Sequence, residues 1–117
     1  LIHAMTSSLT PTNRAFDAEW PEAVRQNIVD DSLSRDVAVS SLDEAMDHRF
    51  LSLAKYAAES KVDGILFTCS AFGSSIEKVK NAGLGVPILK PNEAMQEEAI
   101  AIGGKIGVLS TFEPTVP

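Results

Sequence analysis

The run Gly64-Ile65-Leu66-Phe67-Thr68-Cys69 constrains this chain most, because it lies directly between two helical patterns. A continuous apolar run of that length reads as a strand buried on both faces. Upstream, Leu42, Ala45, Met46, Phe50, Leu53, Ala54 and Ala57 recur at helical spacing and make one apolar face. Ser41 and Glu44 fit a capping box at its start, and the helix should end near Lys61. His48, Arg49 and Lys55 fall largely on its other side. Downstream, Ser70-Ala71-Phe72-Gly73-Ser74-Ser75 is a small-residue turn, followed by a helix through Ile76, Val79 and Lys80 that Asn81 and Gly83 stop.

The rest of the chain repeats the alternation. Residues 1–5 read as a short buried strand, broken by Thr6-Ser7-Ser8. Pro11 suits a first helical turn, and Phe16, Trp20 and Ala23 follow at helical spacing in a short helix ending near Pro21, with Phe16 and Trp20 as core candidates. Asn27-Ile28-Val29-Asp30 reads as a second strand and residues 31–40 as a polar loop. Val86-Pro87-Ile88-Leu89 reads as a strand near a sheet edge, because Pro87 lacks a donor. Asn92 caps a helix over 93–102, Gly103-Gly104 ends it, and residues 105–110 read as a last buried strand.

Strands alternating with crossover helices predict an α/β fold, a parallel sheet with helices on both faces. Ligands then bind at the carboxyl ends of the strands, where Thr6-Ser7-Ser8, Cys69-Ser70 and Ser110-Thr111 fall. Leu1 already lies in an apolar run and Pro117 shortly follows one, so the chain reads as a segment of a longer protein. Residues 1–104 are a first α/β domain carrying Cys69, and 105–117 are the first strand of a second, truncated domain.

Charge and cysteine count narrow the function classes. A net charge of -6 repels phosphate backbones and anionic lipids, which argues against nucleic acid and membrane partners. One cysteine allows neither an internal disulfide nor a cysteine-based metal cluster, and suits a reducing compartment, so the expected location is cytoplasmic. No apolar stretch reaches the length of a membrane span.

Cys69 ends a buried strand and precedes a loop that enters a helix. Backbone N–H groups at that helix start favour a thiolate and bind a carboxylate. Small residues at Ser70, Ala71, Gly73 and Ser74 let a ligand approach the backbone closely. A thiolate there acts as base or nucleophile. Against this, free cysteines are among the most buried residue types, and burial alone accounts for many of them. A phosphatase loop is disfavoured, since Ser75 stands where the phosphate-binding Arg would be.

Taken in order, these segments resemble the Asp/Glu/hydantoin racemase superfamily. Leu1-Ile2-His3-Ala4-Met5-Thr6-Ser7 looks like its first strand and turn, and Ile65-Leu66-Phe67-Thr68-Cys69-Ser70 like the strand carrying its first catalytic cysteine. Val86-Pro87-Ile88-Leu89 with Asn92-Glu93-Ala94-Met95 resembles the next strand and helix, and Ile106-Gly107-Val108-Leu109-Ser110-Thr111 the strand opening the second half. The resemblance implies a flavodoxin-like half of a two-domain fold. It also implies cofactor-independent, metal-free racemase or isomerase chemistry on a carbon next to a carboxylate or amide. Cys69 would be the first-half base. Ser7, Ser70 and Thr111 would bind substrate oxygens together with backbone N–H groups such as that of Ala71. A small carboxylate or amide substrate and a homo-oligomer follow as expected partners. His3, Ala4 and Met5 replace the family's Asn-Pro-Asn, and Ser70 stands where many members have Asn.

Other residues have two readings each. Asp30 and Asp31 suit a loop cap better than a metal. His3 reads as a satisfied structural histidine, though a neighbouring strand could bring it to Cys69. Lys90 reads as a surface lysine rather than an anion site. Phe72 suits either a pocket wall or the core. The alternatives to a racemase are a single-cysteine decarboxylase, a maleate-isomerase-like relative and a non-catalytic carboxylate-binding module. A receiver domain would place an aspartate where Cys69 stands.

Overall fold

A computed structural model describes residues 1–39 and 42–109. Among them the order is β1 (Ile2–His3), α1 (Leu9–Glu19), β2 (Ile28–Val29), α2 (Ser32–Val39), α3 (Glu44–Glu59), β3 (Ile65–Leu66), α4 (Gly73–Lys80), β4 (Ile88–Leu89) and α5 (Glu93–Ile102). The class is mixed α/β. β1 pairs in parallel with β2, Ile2 opposite Ile28, and β3 pairs in parallel with β4, Ile65 opposite Ile88. A parallel bridge between Ile2 and Phe67 joins the two pairs.

The core grows from α3. Met46, Phe50, Ala54 and Ala57 are its buried face, at the spacing that stacks side chains on one side of a helix. Phe50 sits between two more fully buried rings, 5.3 Å from Phe67 and 4.8 Å from Phe72 by centroid. Ile76 and Val79 of α4 and Ile65 of β3 complete this layer. α3 starts one residue past Asp43, whose carboxylate accepts from the Met46 N–H at 2.9 Å. Asp43 is therefore the cap, in place of the expected Ser41, which lies outside the described residues.

Several expectations need correction. Residues 32–39 form a helix, where a polar loop was expected: Leu33 is fully buried, Val37 packs against the core one turn later, and the Asp30 carboxylate holds the Ser32 N–H at 3.1 Å. Burial alternates along 65–68, with Ile65 and Phe67 inside and Leu66 and Thr68 only half-buried, so this strand is covered fully on one face alone. Residues 105–109 form no strand and are exposed, and Ser110 and the segment after it lie outside the described residues. Trp20 is 60% exposed and Phe16 half-buried; they stack on each other at 6.2 Å instead of entering the core. Asn92 precedes α5 in a left-handed conformation (φ 65°) with no side-chain cap bond, and Glu93 instead accepts from the Lys90 N–H at 3.3 Å. The expected stop at Gly103 holds, with φ 77° in the region glycine tolerates.

Candidate functional site

The bridge at Ile2 and Phe67 aligns the carboxyl ends of β1 and β3. The Thr68 N–H donates to the Ile2 carbonyl at 3.0 Å, so His3 and Thr68 follow side by side. Both strands then enter a one-turn 3-10 helix, Thr6–Ser8 after β1 and Ser70–Phe72 after β3, and each turn leads into an α-helix. The sequence explains this locally: small polar residues, whose side chains bond to nearby backbone, stop strand pairing, and Pro11 suits the first turn of α1.

Cys69 is the residue before the second turn, in extended conformation (φ -117°). It is half-buried, and burial pushes its thiol up from the ordinary value, partly offset by the Ala71 N–H. The resting group is a thiol, not a thiolate. Ser70 is half-buried beside it and Ala71 is buried. Phe72 has no exposed surface and packs on Phe50, so its ring belongs to the core. Ser7 is exposed on the neighbouring turn. Thr111 lies outside the described residues.

His3 is fully buried at the end of β1, within a polar cluster. Its Nδ1 lies 2.8 Å from Ser8 Oγ and 2.9 Å from Thr68 Oγ1, and its Nε2 lies 2.9 Å from Asn27 Oδ1. Asn13 Nδ2 donates to the same Asn27 Oδ1 at 3.0 Å. Burial lowers the His3 basicity, against the raising effect of Asn27, and keeps the ring neutral at pH 7. His3 reaches the end of the cysteine's strand, but its Nδ1 is engaged by Ser8 and Thr68. Ser8 was expected as part of a polar break and His3 as a satisfied structural histidine. Local sequence carries no signal for Asn27 or Asn13, whose contacts depend on the pairing of β1 with β2.

On the half-covered face of β3 lies a groove of about 670 Å³, walled by Leu66, Thr68, Leu89, Lys90, Asn92 and Met95 among others. Cys69 lies outside its walls. Lys90 is paired with Glu77 at 2.9 Å and with Glu93 at 3.7 Å, so it offers no unpaired cation to an anion. Asp30 joins Ser32 and Arg49, and Arg49 also binds Asp36, tying the end of β2 to α2 and α3. Arg49 is thus a tertiary tie, not one of the solvated residues of α3. Asp31 is exposed and lies 3.9 Å from Arg35. Among the described residues no group of His, Cys, Asp and Glu is placed to hold a metal ion, and no helix is long and apolar enough to cross a membrane.

No protein-family model matches the chain, and no curated protein or solved structure matches it either.

Proposed function

We propose that the chain is the cysteine-bearing half of a cofactor-independent isomerase or racemase that moves a proton at a carbon next to a carboxylate or amide. One observation carries the reading: the turn holding Cys69, Ser70 and Ala71 and the turn holding Ser7 leave adjacent parallel strands at their carboxyl ends. That is where open α/β sheets bind ligands. Backbone N–H groups at the starts of two helices supply partial positive charge for a carboxylate. In this reading the parallel strands belong to a flavodoxin-like sheet with helices on both faces, and the enzyme works in a reducing compartment, as a homo-oligomer.

The state of Cys69 sets the direction of chemistry. An ordinary thiol near 8.5 is only about 3% thiolate at pH 7, and burial lowers that fraction here. A thiol in this state delivers a proton to a substrate carbanion readily. To remove one it must first be ionised, by N–H groups or by charges that approach with the substrate. The test is exchange of the substrate hydrogen with solvent deuterium, on a panel of small carboxylates and amides with the longest natural chain. Exchange abolished in Cys69→Ala supports the reading. Carboxylate binding that survives Cys69→Ala, with no exchange in either protein, replaces it with a non-catalytic binding module.

A further inference from the structure

His3 is a buried titratable group that the chemistry above leaves unused. Its tautomer follows from its neighbours. Asn27 Oδ1 already accepts from Asn13 Nδ2 at 3.0 Å, so it is the acceptor for His3 as well, and Nε2 carries the hydrogen. Nδ1 is then a bare acceptor with one lone pair and two hydroxyls within 2.9 Å.

The two hydroxyls do not depend on it equally. Ser8 Oγ has a second strong acceptor, the Met5 carbonyl at 2.8 Å. Among the described residues, the other acceptors for Thr68 Oγ1 are the Ile2 carbonyl at 3.4 Å and Ser8 Oγ at 3.3 Å. Thr68 is the residue immediately before Cys69. We infer that His3 is a positioning residue for the Cys69 turn: its unprotonated Nδ1 accepts the Thr68 hydroxyl and anchors the strand end that presents the thiol, whereas protonation of Nδ1 reverses this contact and turns the Thr68 hydrogen toward its longer contacts at the Ile2 carbonyl and Ser8 Oγ, which loosens the anchor.

The charged surroundings leave His3 as the group that titrates. From the 3-10 turn after β1 to the start of β2 and the end of β3, the side chains that hydrogen-bond to it are Ser8, Asn27 and Thr68, with Asn13 behind Asn27, all uncharged. The Leu1 ammonium disfavours a second positive charge. Arg25 and Asp17 pair with each other beside Asn13, and Asp30 is held by Arg49.

The inference rests on Cys69 as the functional group, but its test does not need turnover. Cys69 is modified with a methanethiosulfonate from about pH 5 to 8, and the rate is divided by the thiolate fraction. The unmodified sequence is expected to show an added rise of up to about fivefold as His3 protonates, the most that weakening one hydrogen bond can give. His3→Asn, whose Oδ1 replaces the Nδ1 acceptor but does not titrate, should keep the pH 7 rate and lose the rise. Thr68→Val should show the raised rate at every pH. Identical profiles for the unmodified sequence and His3→Asn overturn the inference. So does nitrogen NMR showing a protonated His3 Nδ1 at pH 7, a measurement that needs no variant. Failure to find solvent exchange with any substrate, with the three rate profiles as expected, would sink the enzymatic reading and leave this one standing.

Discussion

Ile2 and Phe67 face each other in a parallel bridge, and the Thr68 N–H reaches back to the Ile2 carbonyl at 3.0 Å. Through this contact the amino-terminal strand, 65 residues earlier in the chain, joins the strand that ends at Cys69. The polar cluster of His3 and the aromatic cluster of Phe67 therefore sit on successive residues of the same two strand ends.

Truncation of Phe50 tests the core. Its ring contacts Phe67 and Phe72, and α3, β3 and α4 all meet there. Phe50→Ala should cost about 3–5 kcal/mol, from lost burial and the cavity left behind. Urea denaturation monitored by circular dichroism measures it. A loss below 1 kcal/mol would show that these elements do not share one core.

The cap of α3 is separable from its packing. Asp43→Ala removes the acceptor for the Met46 N–H and should cost about 1 kcal/mol. Asp43→Asn should recover most of it, because the amide oxygen can still accept. Equal losses in the two variants would deny the cap.

Acid should weaken the protein before its carboxylates titrate. Burial lowers the basicity of His3 in the fold, so the folded state resists a proton that the unfolded chain takes up near 6.5. Stability from this group is complete above 6.5 and falls as pH drops from there toward the folded value, because the unfolded chain binds more protons in that window. Denaturation midpoints at about pH 7.5 and 5.5 should differ, and His3→Asn should shrink the difference. A carboxylate-only protein would show its loss lower, near the ordinary range of about 4.

Arg49→Leu should loosen the junction of β2, α2 and α3. The guanidinium binds Asp30, Asp36 and Ser32 together. Its charged hydrogen bonds are about one-third exposed, so the expected loss is about 1–2 kcal/mol. Burial pushes the Asp30 carboxyl up, while Ser32 and Arg49 outweigh it and hold it low; without Arg49 it should titrate at higher pH. Carbon NMR of the carboxyl follows that directly, and an unmoved titration would separate Asp30 from Arg49.

The apolar face of α3 was readable from its sequence because local spacing alone places Met46, Phe50, Ala54 and Ala57 on one side. β2 and β4 were readable for a similar reason, since their short apolar runs are flanked by turn residues. α2 was missed because Ser32, Ser34, Arg35 and Asp36 mask a two-residue apolar contact, Leu33 and Val37, that only α3 makes meaningful. The half-open face of β3 was missed because a continuous apolar run has no period to say which side is covered. Trp20 was misplaced because helical spacing identifies a face but not whether anything packs on it. At the candidate site, Cys69 and the polar turns were visible as local features. The His3 cluster was not, since it is assembled from residues 24 and 65 positions apart.

The alternation at 65–68 gives the polar cluster a second consequence. Adjacent strand side chains point to opposite faces, so a slip of β3 by one residue would carry Phe67 out and Thr68 into the aromatic core. It would also strip Thr68 from His3 and leave a hydroxyl against the two remaining rings, Phe50 and Phe72. The packing of Phe67 and the hydrogen bond of Thr68 thus reject the same mispairing independently. Short strands of two residues hold too few ladder bonds to choose a register themselves; here the choice is made by neighbouring side chains of opposite polarity.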